Sequence, residues 1–555
     1  MRRGENAVRW RVFVRGRVVI AAVVSGLVGV APAAAATELV VSGKGWGHGV
    51  GMSQWGAYGY AKHGWSWKRI LAHYYSGTQV APAPVSRVRV LLGVAQPSAS
   101  IACAGAIRVS DRTGRGYALA PGAYAFGPGL RLPVGHKRLQ ISGGQQHRER
   151  FTVVTTRRTL RSPLVFDCPS APLVWDGHAY HGLLVVRRDG KKLSVVNSLR
   201  LDDYVRGVVG GEMPHRWSIA ALEAQAVAAR SYALATLKPG KKFDLFSDTR
   251  SQVYGGIAYE TPKTNLAVSH TAGDVLTWNG RVATTFFFST SGGRTADVSE
   301  VWPTLGDVPY LRSVPDPYDT RSPHHVWGPI TFDATRVAKR LHVPPGAVSV
   351  ERTVAGRVAT VRIGSRRIDG NTFRSELGLA STWFQVGDLS LTGNRRQIVY
   401  GGKLGLDVRA DGLGRARLQR RIGAGVWRTL KLVDGAGHIT VEPQGQTLYR
   451  LSADGVTGPV VGVAVAPRLH VTAAGPQLLT GAIAPLSRGA VTVWLKAAGG
   501  WKVVAHPQVD PTGRFNTSLR LRPGGYRITV AGDGRYAAAT ASVHVTSRLL
   551  SLLSH

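Results

Sequence analysis

The chain has 555 residues, and its 70 Lys and Arg against 32 Asp and Glu give a formal net charge of +38. That length suits several domains of roughly 100 to 200 residues each, and three are expected. Such a charge favours a polyanionic partner. A solvated basic surface with no specific partner is the plainer alternative.

In residues 1–36, Arg2, Arg3, Arg9, Arg11, Arg15 and Arg17 precede the apolar run 18–30 and the small-residue stretch APAAAA. This is the layout of a secretory signal cleaved after about Ala36. A retained anchor is the alternative, but the run is short and ends in Pro32. Removing these residues lowers the charge only to +33. No later segment has enough uninterrupted apolar residues to span a bilayer. An exported, envelope-located chain of this charge is expected to meet anionic wall polymers, peptidoglycan or lipid headgroups, and not nucleic acid.

Residues 43–56 read GKGWGHGVGMSQWG, with a glycine at every second position from Gly43 to Gly51. Extended backbone would put these glycines on one face and Lys44, Trp46, His48 and Val50 on the other. A glycine face lets another backbone or a ligand approach closely, as a groove for a long, flat substrate would need. Downstream, Ser53 is placed to cap a helix over QWGAYGYAKH that Gly64 ends, and Ser66 to cap WKRILAHYYS, ended by Gly77. From Arg87 to about Leu201, short β-rich runs alternate with turns. Cys103 and Cys168 lie here, and in an exported chain they read as a structural disulfide closing a long loop.

Ser218 is a plausible N-cap for the helix IAALEAQAVAARSYALATL, which has few polar residues and no Gly or Pro before Pro239. VATTFFFST (282–290) reads as a strand before the turn SGGRT. NTFRSELGLASTWFQV (371–386) reads as a short helix leading into a strand, and 393–402 as a linker. Two C-terminal segments, 425–455 and 500–534, are weakly repeated: Trp427 matches Trp501, Asp434 matches Asp510, and Tyr449 matches Tyr526. Their strand and turn spacing suggests two small β-sandwich modules.

A dinucleotide fingerprint needs glycines at i, i+2 and i+5. Here the i+5 position always falls on a non-glycine, and the phosphate-loop lysine pattern is absent. His48 and His73 lack the spacing of a metal pair on one helix, and a zinc site needs about four ligands. No metal or cofactor is expected.

GHGVGMSQWGA with GWSWKRILAHYYSGT, LDDYVRGVVGGEMPHRWSIAALEAQAVAARSYAL (201–234), FFFSTSGGRT (286–295) and LGLASTWF (377–384) together resemble the stage II sporulation protein D family, SpoIID/LytB. The resemblance spans about residues 40–390. It implies an α+β catalytic domain over 37–392, with mixed sheets, a few helices and a β-rich insert at about 85–200. Two small immunoglobulin-like sandwich modules, 398–470 and 471–546, are expected after it. Family members act on peptidoglycan, one branch as lytic transglycosylases on denuded glycan strands and the other as enhancers of an N-acetylmuramoyl-L-alanine amidase. The acid of the family's EMP motif corresponds to Glu212 and the arginine of QAVAAR to Arg230. Here the GHGVGMSQ block precedes the rest of the domain instead of following the LGLxST block. That order resembles a circular permutation, so residues 40–80 should pack beside the segment ending near Phe384. Gly210 and Gly211 stand where the family often has a proline.

Hydrolytic glycosidases usually need two carboxyls flanking the bond, whereas a lytic transglycosylase needs one. Glu212 is therefore the expected acid/base. Partial burial beside Met213, Pro214 and Trp217 should raise its pKa. Capping the helix that begins near Ser218 is its alternative role. Arg230, His48, Ser53, Gln54, Ser289, Ser291 and Arg294 are the expected substrate contacts, with Ser289 and Ser291 as ordinary turn residues in the plainer reading. A serine nucleophile working with His48 is disfavoured because no G-x-S-x-G elbow is present.

Overall fold

The computed structural model describes residues 37–141, 149–238, 240–475 and 477–547. The expected signal sequence at 1–36 lies outside them. The architecture is mostly β, in several sheets, with a few helices. No helix among the described residues is long and apolar enough to cross a membrane.

The first strand, Thr37–Lys44, pairs antiparallel with Val326–Asp333 on one side and Phe384–Gly393 on the other. Thr37–Lys44 thus lies against the segment that begins at Phe384. Ser53 and Ser66 then cap two short helices, α1 (Gln54–Lys62) and α2 (Trp67–Tyr74), through side chains that accept from Gly56 N and Arg69 N.

The β-rich stretch builds a nine-stranded sheet. It is antiparallel apart from Leu245–Phe246, which runs parallel to Arg87–Gln96. A four-stranded sheet lies beside it, and Cys103, ending one of its strands, is bonded to Cys168, just past the Leu164–Asp167 strand of the larger sheet. The disulfide thus joins the two sheets. This stretch is no separate body, because its apolar residues Val90, Phe166 and Val195 belong to the same core as α1 and α2.

That core also takes in α3 (Leu201–Glu212) and α4 (Ile219–Ala235). Thirteen of the seventeen residues of α4 are buried. A helix so apolar all round belongs in an interior, and its small residues (Ala221, Ala224, Ala228) let α1, α2 and α3 pack close to it. Ser218 takes the N-cap position but makes no side-chain cap bond.

Two expected elements come out differently. Within 282–290 only Phe287–Phe288 is a strand besides the end of Arg281–Val282. The rest is held by main-chain bonds to the irregular glycine stretch, including Met52 N to Phe286 O and Trp55 N to Ser289 O. Residues 393–402 are no break in the sheet: Phe384–Gly393 pairs with Leu404–Asp411 in an unbroken register, and Gln397–Val399 is itself a strand. One apolar core (Leu389, Leu406, Leu418, Tyr449) lies between that sheet and the sheet of Ala416–Ile422 and Thr447–Ala453. A further core (Val493, Phe515, Tyr526, Ile528) gathers residues from Ala466 to Val545.

Candidate active site

Glu212 is the last residue of α3. Its neighbours Met213 and Trp217 are buried, and Gly210 and Gly211 lie under Tyr259. A Cβ at Gly210 would run into the Tyr259 carbonyl and one at Gly211 into its ring. The paired glycines therefore allow the 259 segment to close over the end of α3. Burial raises the pKa of Glu212 above its ordinary value. Opposing this, Gln54 Nε2 donates to Glu212 Oε2 at 2.9 Å. A donor to a carboxylate favours the ionised form, but here desolvation is the larger effect.

Gln54 opens α1, next to an aromatic cluster. Trp55 and Tyr58 of α1 pack on Trp217, with ring centroids 4.8 and 4.7 Å away. Trp217 follows Glu212 by five residues, so the cluster links the two ends of the hydrogen bond. Glu212 does not cap α4; it carries its bond to Gln54 instead.

The glycine stretch is not the extended, bare face expected from its spacing. Gly45, Gly47, Gly49 and Gly51 all have positive φ, between 75° and 114°. L-residues rarely adopt that region, which accounts for the alternation. The backbone lets protein in, not open solvent: Gly45 faces the carbonyls of Thr290 and Ser291, Gly49 the Arg357 guanidinium, and Gly51 the Phe286 carbonyl.

The other expected contacts divide sharply. His48 is fully occupied: its Nδ1 accepts from Val50 N and its Nε2 donates to Phe287 O, both at 3.1 Å. Its ring packs among Phe286, Phe288 and Trp302. Burial, then the charges of Arg357 and Arg374, lowers its pKa to about 4. Ser53 is buried as the α1 cap. Arg230 is fully buried, paired with Asp202 at 2.7 Å and donating to the Asp274 carbonyl at 2.9 Å, so it ties α4 to neighbouring elements and meets no open surface. Ser291 is buried and donates to Asp319 at 2.8 Å. Ser289 remains half-buried, and the exposed Arg294 donates to Ser313 Oγ at 2.8 Å. Of the expected substrate contacts, only Gln54 bonds to Glu212.

Asp316, Asp319 and Arg357, all essentially buried, are not among the residues expected from the sequence. Asp319 accepts from Ser291 Oγ, Gly292 N and His325 Nδ1, fixing the SGG turn. Asp316 lies against Gly56 of α1, and burial, aided by Asp319, pushes its pKa up to about 7. The signal was DPYD, a pair of acids in an acid-poor chain. Among the described residues no group of three or more His, Cys, Asp or Glu is arranged to hold a metal.

A family model described as "Stage II sporulation protein" (SpoIID) matches residues 189–278, the segment with α3, α4, Glu212 and Arg230. This segment is similar to the SpoIID family. Stage II sporulation protein D of Bacillus subtilis (strain 168) is 34% identical over 212 residues, covering 34% of this chain and 61% of that protein. An "Amidase enhancer" of the same organism is 41% identical over 123 residues, 22% of this chain and 16% of its own. The chain thus spans about three-fifths of the SpoIID relative and a smaller part of the enhancer. Among solved structures, a two fibronectin type-III domain segment from chicken tenascin aligns with 28% of the chain and 97% of its own at 14% identity, with a TM-score of 0.20. The SpoIID match includes Glu212 but stops before the SGG turn and excludes the glycine stretch, which reaches Glu212 only through the fold.

Proposed function

We propose that this chain is a SpoIID-family protein, an exported, peptidoglycan-directed lytic transglycosylase with Glu212 as its single acid/base. The observation that carries the reading is Glu212 itself: a half-buried carboxyl whose proton affinity is raised by desolvation, with one oxygen engaged by Gln54. The names of its relatives, a sporulation protein and an amidase enhancer, support a cell-wall role. In the reaction Glu212 gives its proton to the glycosidic oxygen as the C1–O bond breaks. The carboxylate then takes the proton of the muramyl 6-hydroxyl, whose oxygen bonds to C1 and closes a 1,6-anhydro ring. The proton lost is regained and no water is consumed, so one carboxyl suffices. With Oε2 held by Gln54, Oε1 is the oxygen left for substrate.

A second reading, a non-catalytic wall-binding enhancer of an N-acetylmuramoyl-L-alanine amidase, is favoured by one observation. Arg230, His48, Ser53 and Ser291 are spent on internal bonds, which leaves few substrate contacts around Glu212. We propose the rest of the organisation as a signal at 1–36, a SpoIID/LytB domain over about 37–392 in permuted order whose sheet continues into the next module, and immunoglobulin-like modules over about 398–470 and 471–546 that carry it on the wall. Digestion of denuded glycan strands by the parent and Glu212→Gln, with mass analysis, separates the readings. Anhydromuramyl ends from the parent alone support catalysis; their absence, with glycan still bound, leaves the enhancer.

A further inference from the structure

The C-terminal repeat extends to the order of the strands. In one sheet Arg428–Val433, Ala416–Ile422, Thr447–Ala453 and Val456–Ala466 are successive neighbours; in the other, Gly500–Ala505, Val491–Ala497, Gly524–Val530 and Ala539–Val545 follow in the same order. Tyr449 and Tyr526 hold matching places on the third strand of each series and are buried in the cores. Side chains alternate along a strand, so Arg450 and Arg527, one residue on, leave by the outer face.

Each arginine crosses the intervening strand to an indole at the edge. The Arg450 guanidinium carbon lies 4.1 Å from the Trp427 ring centroid and that of Arg527 4.1 Å from Trp501. In the first module Arg421 adds a second guanidinium 5.0 Å from Trp427, and Gln419 Oε1 accepts from Arg450 Nε at 2.9 Å. None of these three arginines pairs with a carboxylate among the described residues. The surroundings are cationic: residues 398–546 hold 18 Lys and Arg against 7 Asp and Glu.

A guanidinium stacked on an indole is held in orientation while its in-plane N–H groups stay available, the arrangement that suits bidentate oxyanion recognition. The stack also covers one face of the indole, which a neutral sugar ring would otherwise use. One platform per module, repeated along the chain, matches a linear polymer with regularly spaced single charges better than a compact anion. We propose that these paired Arg-on-Trp platforms form a docking surface for a phosphodiester-linked anionic polymer. The proposal is independent of catalysis by Glu212.

The test is binding of the whole protein to poly(glycerol phosphate), with polyglutamate and a neutral chitin oligosaccharide as comparisons. Arg450→Gln with Arg527→Gln should weaken poly(glycerol phosphate) binding by about tenfold or more and flatten its salt dependence. Arg415→Gln with Arg520→Gln, an equal charge loss at exposed positions of the same modules, should cost less than about threefold. Arg450→Lys with Arg527→Lys, which keeps charge but loses the fork, should remain weakened. Equal losses for the platform and control pairs, an unaffected platform variant, or tighter binding of polyglutamate or chitin oligosaccharide would overturn the proposal.

Discussion

Among the described residues Gln54 makes the one side-chain hydrogen bond to the Glu212 carboxylate, and Gln54→Met removes it at nearly constant side-chain volume. The Gln54 amide stabilises the charged carboxylate, so its loss should raise the Glu212 pKa, adding to the rise that burial already causes. A hydrogen bond to a charged group is worth about 1.5–3 kcal/mol, and one pH unit corresponds to about 1.4 kcal/mol. Because Glu212 keeps partial solvent contact, the lower figure applies, and the pKa should move upward. Carbon-13 NMR titration of the selectively labelled Glu212 carboxyl measures this without reference to activity. A pKa that stays put or falls would mean that the bond does not hold in solution, and the link between α1 and the acid would fail with it.

His48 should make the fold acid-sensitive. Its folded pKa of about 4 lies below the unfolded value of 6.5, so between these pH values the unfolded chain binds more protons and stability rises with pH. About 3 kcal/mol should be lost as pH falls through this window, and a His48→Gln variant followed by denaturant unfolding should lack that component. Replacing Cys103 and Cys168 by serine opens a connection with a sequence separation of 65, and the unfolded-chain entropy model gives a loss of about 4 kcal/mol, readable as a lower denaturation midpoint. Gly51→Ala combines a positive φ with a collision with the Phe286 carbonyl. It should cost more than about 2 kcal/mol, whereas Gly64→Ala, with positive φ but open space around its Cβ position, should cost less.

The helices were legible because their signals are local. Ser53, Ser66, Gly64 and Gly77 mark ends through bonds within a few residues, and the run of small and apolar residues in α4 announces a buried helix. The glycine stretch was legible as special but not in its geometry. Spacing alone cannot separate extended backbone from alternating positive φ, and the backbone of 286–291, which decides the matter, is some 240 residues away in sequence. Arg230 and Ser291 find their partners only 28 residues away, but no spacing rule marks those pairs in the sequence. Their residue types suit a sugar groove, but Asp202 and Asp319 occupy them. The bond from Gln54 to Glu212 was within reach only through the family resemblance, which brought the two blocks into one domain.

The central claim is that Glu212 cleaves glycan strands without using water. Denuded strands should be digested by the parent protein in oxygen-18 water and the new ends weighed. The account predicts ends one water lighter than a reducing sugar, carrying no oxygen-18, and none from Glu212→Gln. Labelled reducing ends, or no cleavage by a parent protein that binds the strands, would contradict it.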